Sequence, residues 1–146
     1  MQIQMTLKVS AQEFYDFVVS SIQASLELAD SSTDKEVKEG TSYKTNMKTT
    51  SKKQEKTKVK ITHLKKPVHI RTTYSSASIS SATEYKIKPI DANKCEVIYI
   101  ESNFDPHHKE IEFQGLKKMI LERKLKKRLK DVENYLINKR NQPEES

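Results

Sequence analysis

Val97, Tyr99 and Glu101 stand two residues apart from one another, so on an extended chain all three project to one side. A carboxylate that follows an apolar residue and a tyrosine in this way can orient the polar group of a molecule held mainly by apolar contacts. The other side chains able to do chemistry are Cys95, His63, His69, His107 and His108. Catalysis needs a nucleophile beside a base or paired carboxylates in a cleft, and these residues form no such constellation. One cysteine cannot build a Cys-rich zinc site, no H-E-x-x-H occurs, and His107 and His108 are adjacent, so their side chains point apart. With only Gly40 and Gly115, neither a G-x-G-x-x-G turn nor a G-x-x-x-x-G-K-[ST] phosphate loop can be written. The sequence therefore predicts no metal, no cofactor and no enzymatic activity, and it puts the interest in apolar faces.

Those faces need elements to carry them. Ile3, Met5, Leu7 and Val9 alternate with polar residues, the period of a half-buried strand. At Ser10 the period changes. Ser10 can cap a helix, Glu13 can complete a capping box, and Val9 with Phe14 can form a hydrophobic staple. Phe14, Phe17, Val18, Ile22 and Leu26 then recur at helical spacing, one stripe to lay on a sheet. A turn-rich connection follows, in which Asp34 to Glu39 can make one short helical piece before Gly40.

Strands are predicted at Tyr43 to Thr49, Thr57 to Leu64, Val68 to about Ser76, about Ala82 to Lys88, and Lys94 to Phe104. Connections this short require antiparallel neighbours, because a parallel pair needs a crossover of a dozen or more residues. Alternation puts Val68, Ile70, Thr72 and Tyr74 on one side of their strand, and Ile79, Tyr85 and Ile87 on one side of theirs. In the last strand Val97 and Tyr99 oppose Ile98 and Ile100, so both faces read as apolar and the strand as central or doubly covered.

From about Glu110 to Lys139 the chain reads as one long helix, with Leu121, Leu125, Leu129, Val132 and Leu136 in a single stripe. Leu116, Met119 and Ile120 fall on roughly the opposite side, which leaves three readings: grip from two sides, a kink near Gly115, or pairing with a second copy as a homodimer. Lysines and arginines crowd the polar side, Lys124, Lys127 and Arg128 among them, within a net charge of +7. A positive helix face can meet nucleic acid, an anionic membrane or an acidic protein, but it carries no aromatic residue to stack on bases, so nucleic acid is disfavoured.

One domain over residues 1–140 with a polar tail at 141–146 suits a chain of 146 residues. The hydrophobic fraction of 34% against 32% charged implies a modest core under a strongly charged surface. No run of about 18 apolar residues exists, no signal-peptide block opens the chain, and a single cysteine fits a reducing compartment. A cytoplasmic protein without a transmembrane segment is the expectation.

The order of elements resembles the START-like superfamily, the helix-grip fold also called the birch-pollen-allergen or polyketide-cyclase (SRPBCC) type. More narrowly, "LKVSAQEFYDFVVSSI", "TEYKIKP" with "CEVIYIES", and "KKMILERKLKKRLKDVENYL" are similar to an uncharacterised family, a domain of unknown function found mainly in low-GC Gram-positive bacteria. The resemblance implies an α+β fold in which a curved antiparallel sheet of about six strands wraps a long C-terminal helix. It also implies a groove between sheet and helix that binds a small apolar molecule such as a lipid. The expected lining is Ile70, Tyr74, Tyr85, Ile87, Val97 and Tyr99 with Leu121 and Leu125 opposite and Glu101 as the polar contact. Two alternatives stay open: a filled core with a basic surface for partners, and a cyclase- or hydrolase-like enzyme.

Overall fold

Ser10 ends one element and starts the next, as its neighbours require. The computed structural model describes residues 1–29, 36–48, 54–78 and 80–142. Strand β1 (Gln2–Leu7) runs into helix α1 (Ala11–Glu27), with Ser10 as N-cap. The Ser10 hydroxyl accepts from the Glu13 N–H at 3.0 Å, and the Glu13 carboxylate accepts from the Ser10 N–H at 3.0 Å, so two helix-end donors are satisfied reciprocally. Val9 and Phe14 are both buried in the main core. Ser10→Ala should cost about 1 kcal/mol of stability, and Ser10→Asp should recover most of it; chemical denaturation of the two variants checks this.

Past α1, a turn at Gly40 with φ of 88° admits the chain to β2 (Ser42–Lys48), a backbone conformation that favours glycine. Then come β3 (Gln54–Lys65), β4 (His69–Ser75), β5 (Ser80–Asp91) and β6 (Lys94–Phe104). Among the described residues the six strands form one antiparallel sheet in the order β1-β6-β5-β4-β3-β2. Sequence neighbours pair as a meander, and β1 closes onto β6. The long helix α2 (Gly115–Asn141) completes the α+β fold.

Several boundaries differ from the sequence reading, each for a local reason. Strand β5 continues through Pro89 to Asp91, because its pairing with β4 ends at Lys86 and the missing proline N–H falls where no strand needs it. Helix α2 begins at Gly115, five residues later than Glu110. The Asp105 carboxylate accepts from the N–H groups of His107 and Lys109, at 2.9 Å each, turning the chain back so that Ile111 donates to the Asn103 carbonyl at 2.7 Å. Residues 110 to 114 are thereby committed to the sheet end and the approach to the helix. Strand β6 lies between β1 and β5, with Cys95, Val97 and Tyr99 buried and Ile98 and Ile100 half-buried on the opposite face. Of the short helical piece expected at Asp34 to Glu39, residues 36 to 39 are described and form a bend and a turn in place of a helix, while Asp34, Thr49, Ile79 and the tail beyond residue 142 lie outside the described residues.

Both helices seat on the β1, β6 and β5 side. The main core joins Ile3, Leu7, Phe14, Val18, Ile87, Val97 and Tyr99 to Leu129 and Leu136 of α2. A smaller cluster of Leu26, Ala29, Tyr43 and Val59 sits under the end of α1.

Candidate functional site

Cross-strand register aligns the inward-facing residues into rows. Ile3, Tyr99, Tyr85 and Ile70 form one row across β1, β6, β5 and β4, and Glu101, Thr83, Thr72 and Ile61 form the next across β6, β5, β4 and β3. Where α1 and α2 press on β1 and β6, the face is closed. Toward β2 it opens into a hollow of about 370 Å³ between α1 and strands β2 to β5. Helix α1 contributes Val18, Ile22 and Ser25; the strands contribute Tyr43, Val59, Ile70, Thr72, Tyr74, Thr83 and Tyr85, with Thr45 and Asn46 at the β2 edge.

Of the residues expected to line a site, the structure brings Ile70, Tyr74 and Tyr85 together around this hollow. Ile70 belongs to the main core as well, and Ile87, Val97 and Tyr99 share the face and that core but do not border the hollow. Leu121 is half-buried, and Leu125 packs against the main core from α2. Glu101 is elsewhere: it accepts the Tyr99 hydroxyl at 2.9 Å and borders a different hollow of about 380 Å³ near Met1, Asn103 and Phe113. The hollow that gathers Ile70, Tyr74 and Tyr85 thus lies between the sheet and α1, and the one that Glu101 borders lies between the sheet end and the start of α2. Val18 and Ile22 were legible as part of the α1 stripe, and Tyr43 and Thr45 as alternate positions of one strand. The crossing point of α1 over the sheet, which brings them together, has no local signature.

Hydroxyls and apolar surface dominate the lining. Tyr43 donates to the Ser25 hydroxyl at 3.2 Å, and Thr72 donates to the Tyr74 hydroxyl at 3.3 Å. Burial pushes the Tyr43 phenol above its ordinary value against the opposing Ser25 hydrogen bond, and burial likewise raises Tyr85. Both are therefore neutral hydrogen-bonding groups at physiological pH. Tyr85 packs edge-on against Phe14 at 5.7 Å and against Tyr99 at 5.1 Å, which fixes its ring. Among the described residues lining the hollow, none is an acid, a base, a histidine or a cysteine.

The reactive side chains of the sequence lie outside it. Cys95 is buried in the main core on β6, its thiol pushed up to about 11 by burial, with the charges of Glu13 and Glu133 acting in the same direction, which disfavours the thiolate. His69 bonds Glu84, and the His63 ring lies tilted against that of His69, with centroids 5.2 Å apart. These side chains occupy strand positions that alternate with the inward row, on the far face of the sheet. His107 and His108 are in the loop before α2. No group of three or more His, Cys, Asp or Glu among the described residues could hold a metal ion. A further surface cleft of about 580 Å³ separates α1 from the end of α2, walled by Phe17 and Tyr135 and closed by the Glu13–Arg140 ion pair. No helix among the described residues is long and apolar enough to cross a membrane.

Residues 1–122 match the model of a domain of unknown function, DUF3284. No curated protein matches the chain. Similar solved structures include a conserved protein from Geobacillus kaustophilus, 14% identical, with 94% of each chain covered and a TM-score of 0.60. Ara h 8.0201 is also similar, at 14% identity, with 94% of this chain and 97% of that chain covered and a TM-score of 0.58. So is norcoclaurine synthase from Thalictrum flavum, a point mutant in complex with a transition-state analogue, at 10% identity, with 97% and 95% covered and a TM-score of 0.58. The architecture is the START-like, birch-pollen-allergen-like helix-grip fold.

Proposed function

The chain belongs to the DUF3284 family, and from that premise we propose that residues 1–140 act as one domain that binds a small, neutral, largely apolar molecule in the hollow between α1 and strands β2 to β5. The observation that carries the reading is the lining itself: apolar walls from Val18, Ile22, Val59 and Ile70, interrupted by hydroxyls and free of charge among the described residues. An uncharged site favours a neutral ligand, because an ion would leave its hydration shell with no opposite charge to receive it. The hydroxyls of Ser25, Tyr43, Thr72, Tyr74 and Thr83 offer hydrogen bonds to one or two polar groups of such a ligand. About 370 Å³ lies near the lower end of the usual range for small-molecule sites, about 300–1,000 Å³, so the ligand is compact.

In this reading Ile70, Tyr74 and Tyr85 contact the ligand. Ile87, Val97 and Tyr99 hold the sheet that carries them. Binding without turnover is favoured by the same lining, since its Ser, Thr and Tyr hydroxyls have no histidine, carboxylate or lysine among the described lining residues to activate them. Fold-level likeness at 10% and 14% identity to an enzyme and to Ara h 8.0201 favours neither outcome.

The test uses N-phenyl-1-naphthylamine, a neutral apolar fluorophore. Its fluorescence should rise on binding, and Thr83→Trp, which places an indole in the hollow, should weaken binding about ten-fold or more. Glu101→Gln should leave binding unchanged. Equal binding by the wild type and the Thr83→Trp variant would sink the assignment of the site. Native mass spectrometry of the chain from its own host would then identify any adduct of a few hundred daltons that it carries elsewhere.

A further inference from the structure

The first turns of α2 expose more aliphatic surface than a solvated helix requires. Leu116, Met119 and Ile120 are 69%, 45% and 44% exposed. Their spacing of three and four residues puts them on one side of the helix, opposite Leu121, Leu125, Leu129 and Leu136, which turn toward the protein. Farther along the same outward side come the exposed Arg123, Lys127 and Lys130, with Lys124 and Lys126 at its margins. Glu122 is the single acid between Lys117 and Lys130, and it is half-buried. The outward face is therefore aliphatic at its tip and cationic behind it.

The tip is also held in place. Ile111 is hydrogen-bonded to Asn103 at the end of β6, and the Lys117 ammonium sits 4.6 Å from the centre of the Phe113 ring. This fixes the approach to the helix and presents the three aliphatic side chains as a set.

Charge and shape select the partner. Nucleic acid would use the cations but has no use for three exposed aliphatic side chains without an aromatic to stack on bases. A second copy could cover the aliphatic side chains, but pairing through the tip would bury only three exposed aliphatic residues of each copy and would offer no acidic partner to Arg123, Lys124 and Lys127. An anionic lipid surface satisfies both parts, with aliphatic residues in the boundary between headgroups and acyl chains and cations among the phosphates.

We propose that the N-terminal half of α2 docks on an anionic lipid surface, with Leu116, Met119 and Ile120 inserted and Arg123, Lys124 and Lys127 paired with lipid phosphates. The helix lies on the surface and does not cross it; an insertion depth of about 5–10 Å suits such a helix. The proposal stands on α2 alone and does not depend on what the hollow under α1 holds.

Flotation of the full chain with vesicles at about 0.1 M salt tests it. Vesicles of phosphatidylcholine with about one-third phosphatidylglycerol should carry the protein, and vesicles of phosphatidylcholine alone should not. The triple variant Leu116→Ser, Met119→Ser, Ile120→Ser should lose about ten-fold or more in partitioning, and so should Lys124→Glu with Lys127→Glu. Thermal midpoints should be unchanged, since these side chains are exposed. Leu116→Ser alone, expected to lose about three-fold, reports should the triple variant fail to fold. Three results would each overturn the proposal: no flotation with the anionic vesicles; flotation unchanged in the serine variants alongside equal retention on single-stranded RNA; or a dimer in sedimentation that the triple variant dissolves.

Discussion

Phe14→Ala should lower the stability of the chain by about 3–5 kcal/mol, the largest loss expected from any single truncation considered for this fold. Phe14 is 1% exposed and lies where α1, the β1 exit and the sheet meet. Its ring meets Tyr85 edge-on at 5.7 Å, and Tyr85 in turn meets Tyr99 at 5.1 Å. Truncation therefore removes a buried aromatic, opens a cavity, and releases an edge contact of the kind that contributes about 0.5–1.5 kcal/mol beyond area burial. Because Tyr85 also lines the hollow under α1, the same change should weaken fluorophore binding while the protein is still folded. Phe14→Leu keeps most of the volume and should cost roughly half as much. Urea denaturation of both variants measures the effect. A loss below about 1 kcal/mol for the alanine variant would mean that α1 is not seated on the sheet as described.

The seat of Phe14 was legible in the sequence because its signals are local. A capping serine, a glutamate three residues on and a staple pair span only Val9 to Phe14, and each acts through neighbours within one turn. Strand alternation was legible for the same reason, since pleating alone sets which residues share a face. The start of α2 was not: Glu110 has the composition of a helix, but the Asp105 turn and the bond from Ile111 to Asn103 draw it to the sheet end instead. That competition is decided by chain geometry outside the helical pattern.

The candidate site divides along the same line. Ile70, Tyr74 and Tyr85 were reached because they share an inward face, which two-residue periodicity reveals. Ile87, Val97 and Tyr99 satisfy the same criterion and share the main core with Ile70, yet do not border the hollow, because what stays open on that face depends on where α1 and α2 cross it. Ser25 and Tyr43, 18 residues apart, meet through a hydrogen bond that no spacing rule connects. A face is encoded in the alternation of a strand; which part of it stays open is encoded in helix placement.

Glu133 carries the second large effect, and it is an acid set in an apolar stripe. It lies between Leu129 and Leu136 on the inward side of α2 and is only 2% exposed. Its carboxylate accepts the Lys8 N–H at 2.7 Å and the Lys130 ammonium at 2.6 Å, so it ties α2 to the chain between β1 and α1. Glu133→Ala should cost about 2–3 kcal/mol, since it orphans the Lys8 N–H as well as removing packed atoms. The Lys130 side chain is 57% exposed and can return to water, so the loss stays below that of a fully buried pair. Glu133→Gln retains an acceptor for Lys8 and should cost less than the alanine change.

The pH dependence distinguishes these roles. Burial pushes the Glu133 carboxyl upward, but the Lys130 hydrogen bond, the Lys8 N–H and the two lysine charges outweigh it and hold the group below its ordinary value. Glu13 behaves alike: burial raises it, while the Arg140 guanidinium and the Ser10 contacts bring it below. A group with a depressed folded value stabilises the protein above its unfolded value, about 4.3 for glutamate, and loses that contribution as pH falls through the folded value. Wild-type stability should therefore fall on acidification below about pH 5. The Glu133→Gln variant should fall less steeply, because one of the two groups no longer takes up a proton. Denaturation midpoints measured across acidic pH check the difference, and parallel curves for the two proteins would show that the Glu133 carboxylate is not held charged by Lys8 and Lys130.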